Sequence, residues 1–280
     1  MNVKVISAIL VLALAGMACG FDVNLPQRAT PGAEVTEAIT VAVPGSEETR
    51  LTLLFGAGTL KLSPGAKNLV EGVARYNYTD LKPNIIQEGE RIEIKQGNLD
   101  NIIVLDDIKN EWDLKLGSAP MDLIIQAGAY EAEMELGGLS LRSLTVRDGA
   151  AKVEVSFSEP NRIEMSVLRY ETGASNVTLS GLANANFSTL MFSGGAGDYT
   201  LDFSGELQRD ATVTIEAGLG DVNLVLPRDM NVRVTVESAA VDINHGSGWT
   251  QSGNVYSQKG EGPTLTVVVK MAAGSLSLTD

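Results

Sequence analysis

The sequence predicts an all-β protein, a right-handed parallel β-helix (solenoid) of short two-strand coils, with a β-sandwich as the alternative. Three observations predict it. A pair of small residues recurs through the second half of the chain, at Gly128-Ala129, Gly149-Ala150, Gly173-Ala174, Gly195-Ala196 and Gly218-Leu219. Apolar side chains follow the first glycine by four, six and eight positions in nearly every copy, as in Ala132, Met134 and Leu136 or Tyr199, Leu201 and Phe203. That alternation has period two, which places one face of a β-strand on a core. Val, Leu, Ile and Thr dominate the apolar and β-branched positions, the 29 glycines suit tight corners, and aromatic residues are only 5% of the chain, all of which favours strands over helices.

The chain begins with Met1-Asn2-Val3-Lys4, continues as an apolar run from Val5 to Ala15 broken only by Ser7, and ends this run in small residues before Cys19. A charged start, an apolar stretch and a small-residue processing site read as an export signal over residues 1–18. The run falls short of the roughly 20 residues that a bilayer-spanning helix needs. Leu14-Ala15-Gly16-Met17-Ala18-Cys19 resembles a bacterial lipobox, with Gly16 where leucine is common, and Cys19 is read as the lipid-attachment residue. An ordinary secretory signal cut after Ala18 or Ala15 is the alternative. Cys19 is the only cysteine, so the exported part has no thiols for a disulfide or a thiolate metal site. The localisation read from these features is the cell envelope, outside the cytoplasm and anchored in a membrane.

Residues 19–44, with the Pro- and Gly-containing LPQRATPGAEVTEA, read as a lipidated cysteine and flexible tether, with Ile39 to Val43 as a possible first edge strand. Residues 45–280 read as the folded domain, its N-terminal part at 45–110 and its regular repeats at 111–280. Phe55-Gly56-Ala57-Gly58 is a weak early copy of the repeat, and Gly65 to Tyr76 is the least strand-like stretch, a candidate short helix.

Between the glycine-led strands lies a second alternating segment: Leu144 and Val146, then Ile163, Met165 and Val167, then Phe187 and Leu190, then Val213 and Ile215, then Val232, Val234 and Val236. Each unit of roughly 20 to 24 residues buries too little alone, and stacking units makes a continuous core. Weaker copies close the chain at Ala239-Ala240 and Ala273-Gly274, and the end at Leu276 to Asp280 is the expected uncapped edge.

Several stretches resemble one family: Leu51 to Pro64, the strand Glu111-Trp112-Asp113-Leu114-Lys115-Leu116, the Gly-Ala units, and the end from Gly248-Trp249-Thr250 through Leu265-Thr266-Val267 to Gly274-Ser275-Leu276. Together they look like the bacterial toast-rack proteins, a group similar to adhesin head domains and to the C-terminal domain of cell-wall-active antibiotic response proteins. The resemblance implies a right-handed β-helix on the outer side of a bacterial membrane with an envelope-stress or adhesion association, and it supplies no catalytic residues.

Charge and motifs narrow the function. The net charge of -14 at pH 7 makes nucleic acid a poor partner, because its binding rests on clustered Lys and Arg. His245 is the only histidine, so a multi-imidazole metal site is excluded and a hydrolase triad would have to use it; no G-x-S-x-G elbow accompanies it. Asp106-Asp107 and the carboxylates from Glu88 to Glu93 are the candidates for acid–base or calcium chemistry, read here as solvated loop residues. Trp112 and Trp249 are the candidate sugar platforms, with core closure as the competing role. The reading is a non-catalytic envelope protein with no cofactor, no catalytic residues and no metal site. It holds the membrane through its lipid and contacts an unknown envelope protein or polysaccharide. Envelope-stress sensing with a membrane partner and a polysaccharide-active enzyme are the alternatives.

Overall fold

The computed structural model describes residues 31–45, 49–97, 108–238 and 240–280. Cys19, the stretch at 1–18 read as an export signal, and Asp106-Asp107 lie outside them. The described chain is all-β, with strands β1 (Val35–Val41), β2 (Thr49–Ala66), β3 (Val70–Tyr76), β4 (Asn84–Glu88), β5 (Arg91–Lys95), β6 (Asn110–Gly117), β7 (Met121–Glu135), β8 (Leu141–Asp148) and β9 (Ala150–Ser156). It continues through β10 (Met165–Ser180), β11 (Phe187–Asp202), β12 (Ala211–Val225), β13 (Met230–Val236), β14 (Val241–His245), β15 (Thr250–Ser252), β16 (Val255–Gln258) and β17 (Glu261–Thr279). Two short 3-10 turns, Thr79–Leu81 and Leu182–Ala185, are the only helical pieces among the described residues.

The body is a stack of parallel ladders in which each rung lies on the next. β10 pairs with β8 and β9 on one side and β11 on the other, β11 with β12, and β12 with β17, all parallel. From β7 to β12, groups that meet between neighbouring rungs are 20 to 24 residues apart in sequence, which is the period the repeat predicts. The residues four, six and eight after the first glycine are buried in the copies at Gly128, Gly149, Gly195 and Gly218, so like sits on like and the apolar interior runs the length of the stack.

The two alternating segments of a unit are not separate strands in most rungs. β7, β10, β11, β12 and β17 each run 15 to 19 residues through the Gly-Ala corner. The corners explain the glycines. A Cβ on Gly128 would lie 2.5 Å from the Gly56 carbonyl oxygen, one on Gly173 2.4 Å from that of Gly149, one on Gly195 2.5 Å from that of Gly173, and one on Gly218 2.4 Å from that of Gly195. Glycine at this position lets the backbones of successive rungs approach.

The stacking order departs from chain order at both ends. β2 lies between β7 on one side and β5 with β6 on the other. β17, the last strand, lies between β12 and the pair β13 and β14. Internal segments therefore build the terminal rungs, and the chain's first and last long strands have partners on both edges. Antiparallel strands then cover the ends: β3 on β6, β1 on β3, β4 on β5, and β16 on β13.

Three expectations are corrected. Gly65 to Tyr76 is not helical: Val70, Ala74 and Tyr76 turn into the core from β3, which is hydrogen-bonded between β1 and β6, so tertiary pairing decides where local pattern is weak. Leu276 and Leu278 are not an open end, because they pair with Val222 and Leu224 on one side and Ile243 and His245 on the other. In β10 the inward residues are Met165, Leu168 and Tyr170, while Val167 is half-buried, because the strand changes phase after Met165. Ordered pairing begins at Val35, inside the stretch read as a tether.

Candidate interaction surface

The outward side of each strand that follows a corner carries the surface chemistry, because alternation sends every second residue away from the core. Register aligns these residues in columns: Thr178 beside Thr200, Thr200 beside Asn223, and Asn223 beside Ser277. The adjacent column is Asn176, Asp198, Asp221 and Ser275. Neighbouring rungs are about 4.8 Å apart, so hydroxyl, amide and carboxylate groups repeat at that interval. Some are tied along the column, as when the Ser275 hydroxyl donates to Asp221 at 2.6 Å and the Thr279 hydroxyl to Asn223 Oδ1 at 3.1 Å.

Toward the other end the same face becomes charged. Lys61 bridges Glu133 at 3.0 Å, and Asp113 and Glu154 lie in register beside them. The Glu133 carboxylate raises the Lys61 ammonium above its usual value by accepting its hydrogen bond and by its charge. A shallow hollow of about 380 Å³ opens there, lined by Lys61, Asp113, Glu133, Glu135 and Glu154 among others.

Glu135 ends β7, beside the turn at Gly137-Gly138. Burial works to raise its carboxyl, but hydrogen bonds from the Ser156 hydroxyl at 2.8 Å, the Gly137 N–H at 2.6 Å and the Ser158 N–H at 3.1 Å outweigh it and hold the group below the usual range.

One polar cluster lies inside the wall. Asp148 accepts hydrogen bonds from the Tyr170 hydroxyl at 2.7 Å, from the Thr172 hydroxyl, and more weakly from Ser175 at 3.3 Å. Burial, then the neighbouring Tyr130 and Asp148, push the Tyr170 phenol far above its ordinary value; burial and Asp148 do the same to Tyr130. The Tyr199 hydroxyl is buried against Gly194 with no hydrogen-bond partner. Tyr170 stacks on Phe192 at 5.6 Å and Phe192 meets Tyr199 edge-on at 4.9 Å between ring centres, so this cluster is core architecture rather than an accessible site.

The residues singled out from sequence are placed as follows. His245 ends β14, exposed, with Nδ1 3.0 Å from the Gly246 carbonyl and its ring 5.3 Å from Tyr256; among the described residues no hydrogen bond or ion pair joins it to a serine or a carboxylate. Glu88, Glu90 and Glu93 sit on the β4–β5 hairpin. Among the described residues no three His, Cys, Asp or Glu side chains gather closely enough to hold a metal ion. Trp112 is fully buried and packs edge-on to Phe55 at 5.1 Å, which removes it as a sugar platform. Trp249 is half-buried against the core at the far end. At Gly56-Ala57-Gly58 the Gln96 side-chain oxygen accepts from the N–H groups of Gly56 at 2.8 Å and Ala57 at 3.3 Å, and from Asn110 Nδ2 at 2.9 Å. The donors a phosphate would use are already taken. Sequence reading missed Gln96, Asp148 and Glu135, since each acts through residues distant in the chain and no local motif marks it.

Among the described residues, no helix is long and apolar enough to cross a membrane. The sequence profile of the family described as the N-terminal domain of toast_rack matches residues 30–167 and 160–225. None of the curated proteins matches. Among solved structures, a candidate cell adhesion protein from Clostridium sporogenes is 22% identical with a TM-score of 0.52, over 88% of this chain and 99% of that one, and so shares the fold. A candidate adhesin from Bacteroides fragilis is 10% identical, TM-score 0.36, over 90% of this chain and 98% of that one. A candidate lipid binding protein from Parabacteroides distasonis is 9% identical, TM-score 0.36, over 91% and 100%.

Proposed function

This chain belongs to the toast-rack family, and on that premise we propose that it is a non-catalytic, exported cell-envelope protein. Its stacked ladders act as a right-handed β-solenoid, a rigid post that holds a polar face out for adhesive or structural contact. Cys19 carries the lipid that anchors it, and two or more acyl chains are what stable anchoring requires. The partner is an envelope protein or a polysaccharide.

The observation that carries this reading is the outward column of Thr178, Thr200, Asn223 and Ser277 with its neighbour Asn176, Asp198, Asp221 and Ser275. Such a face hydrogen-bonds at regular intervals without ordering flexible side chains, which lowers the entropic cost of contact. The residues of these columns are exposed or half-buried, and a face in reach of water supports contact over catalysis.

Two measurements test it. Cys19→Ala should move the protein from the membrane to the soluble fraction; unchanged fractionation refutes the anchor. Purified protein should retain envelope polysaccharide or an envelope protein, and Thr200→Lys with Asn223→Lys should abolish retention without loss of folding. Release of polysaccharide fragments would replace this reading with an enzymatic one.

A further inference from the structure

Each terminal rung of the stack has two half-strands whose outer edges need covering. In the rung at one end, β4 covers β5 and β3 covers β6, both antiparallel. In the rung at the other end, β16 covers β13, again antiparallel. The fourth half-strand, β14, pairs with β17 on one side, and among the described residues no strand takes the other. Burial records the difference within a single rung. Val232, Val234 and Val236 of the covered β13 are no more than 4% exposed, whereas Val241 and Ile243 of β14 are only half-buried.

An uncovered strand is a template for pairing, and proteins usually blunt it with lysine, proline, a bulge or inward charge. β14 reads Val241-Asp242-Ile243-Asn244-His245 and has none of these devices. Its outward residues are Asp242 and Asn244, so Asp242 is its one charge, and the rung beneath presents the uncharged Ser275 and Ser277.

We propose that β14 is the contact strand of a homodimer, in which a second copy supplies the missing antiparallel cap. A twofold axis normal to the sheet, midway between the two β14 strands at the level of Ile243, runs β14 against its copy and keeps the apolar side of both inward. Ile243 then faces Ile243 of the copy, and Asp242 faces Asn244 of the copy twice over. Charge excludes the neighbouring register centred on Asp242, which would set two carboxylates opposite each other, where like charges oppose pairing. Strand pairing over five residues is a small interface, so the dimer is weak and concentration-dependent.

The test uses sedimentation equilibrium of the full-length chain in density-matched detergent. Asn244 and Asp242 point outward, so exchanging them leaves the core intact. Asn244→Lys creates two Asp–Lys pairs across the axis and should lower the dimer dissociation constant about fivefold. Asn244→Asp creates two Asp–Asp pairs and should raise it by a similar factor. The swap Asp242→Lys with Asn244→Asp should restore or tighten the dimer relative to Asn244→Asp alone. A monomer at every concentration, a dimer indifferent to these changes, or one that responds to Asn244→Lys and Asn244→Asp in the same direction overturns the proposal.

Discussion

The glycine column at the corners makes a graded prediction about stability. Gly195 is the perturbation to begin with: alanine there would put a Cβ 2.5 Å from the Gly173 carbonyl oxygen, well inside any real contact distance. The obstacle is backbone held in a ladder on both sides, so it cannot swing away as a flexible side chain would. Overpacking of this kind costs about 1–3 kcal/mol. Gly149→Ala meets the Gly128 carbonyl oxygen at 3.1 Å, where a displacement of a few tenths of an ångström relieves the overlap, and its cost should be smaller. Gly45→Ala meets nothing within 4 Å and needs no positive φ; it should be neutral or stabilise by about 0.4–1 kcal/mol through the unfolded chain. Thermal unfolding followed by far-UV circular dichroism reads the series, with about 2–4 °C per kcal/mol for a chain of this size. The expected order of midpoints is Gly195→Ala lowest, then Gly149→Ala, then wild type, with Gly45→Ala at or above it. If Gly195→Ala and Gly149→Ala melt together, close approach of successive rungs is not what requires glycine.

The Asp148 cluster gives the remaining predictions. Asp148→Ala removes the acceptor of the buried Tyr170 hydroxyl and of the Thr172 hydroxyl, which keeps Ser175 as a partner, at a cost of about 1–3 kcal/mol in urea unfolding; a loss under about 0.5 kcal/mol would contradict the network. Tyr199→Phe removes a buried hydroxyl that has no partner, so it should be neutral or stabilising, and a large loss would mean the hydroxyl is bonded. Because Tyr170 and Tyr130 have raised phenol values in the fold, the unfolded chain gives up their protons first. The contribution of these two tyrosines should be level below about pH 10, the unfolded phenol value, and fall above it by up to about 1.4 kcal/mol per pH unit for each. Alkaline unfolding midpoints of Tyr170→Phe should show a shallower fall than wild type.

The alternation after each glycine determined, by itself, that this protein is all-β and which residues form its core. Ala132, Met134 and Leu136, or Val222, Leu224 and Leu226, are inward because side-chain direction in a strand is a property of neighbouring residues. The outward direction of Thr178, Thr200 and Asn223 follows from the same alternation, but their alignment in one column is set by the register of the ladders. The toast-rack resemblance was also carried by these local patterns. What the sequence could not contain was the order of the rungs. β2 and β5 or β17 and β13 carry equally good strand patterns, and nothing in a strand's own residues says which neighbour it will take. That choice depends on which edges remain free once the whole chain has packed. It moved the open edge from Leu276–Asp280 to β14. It also brought Gln96 to the Gly56 corner and set Asp148 among tyrosines from three other strands, because these contacts exist only between segments that the stack brings together.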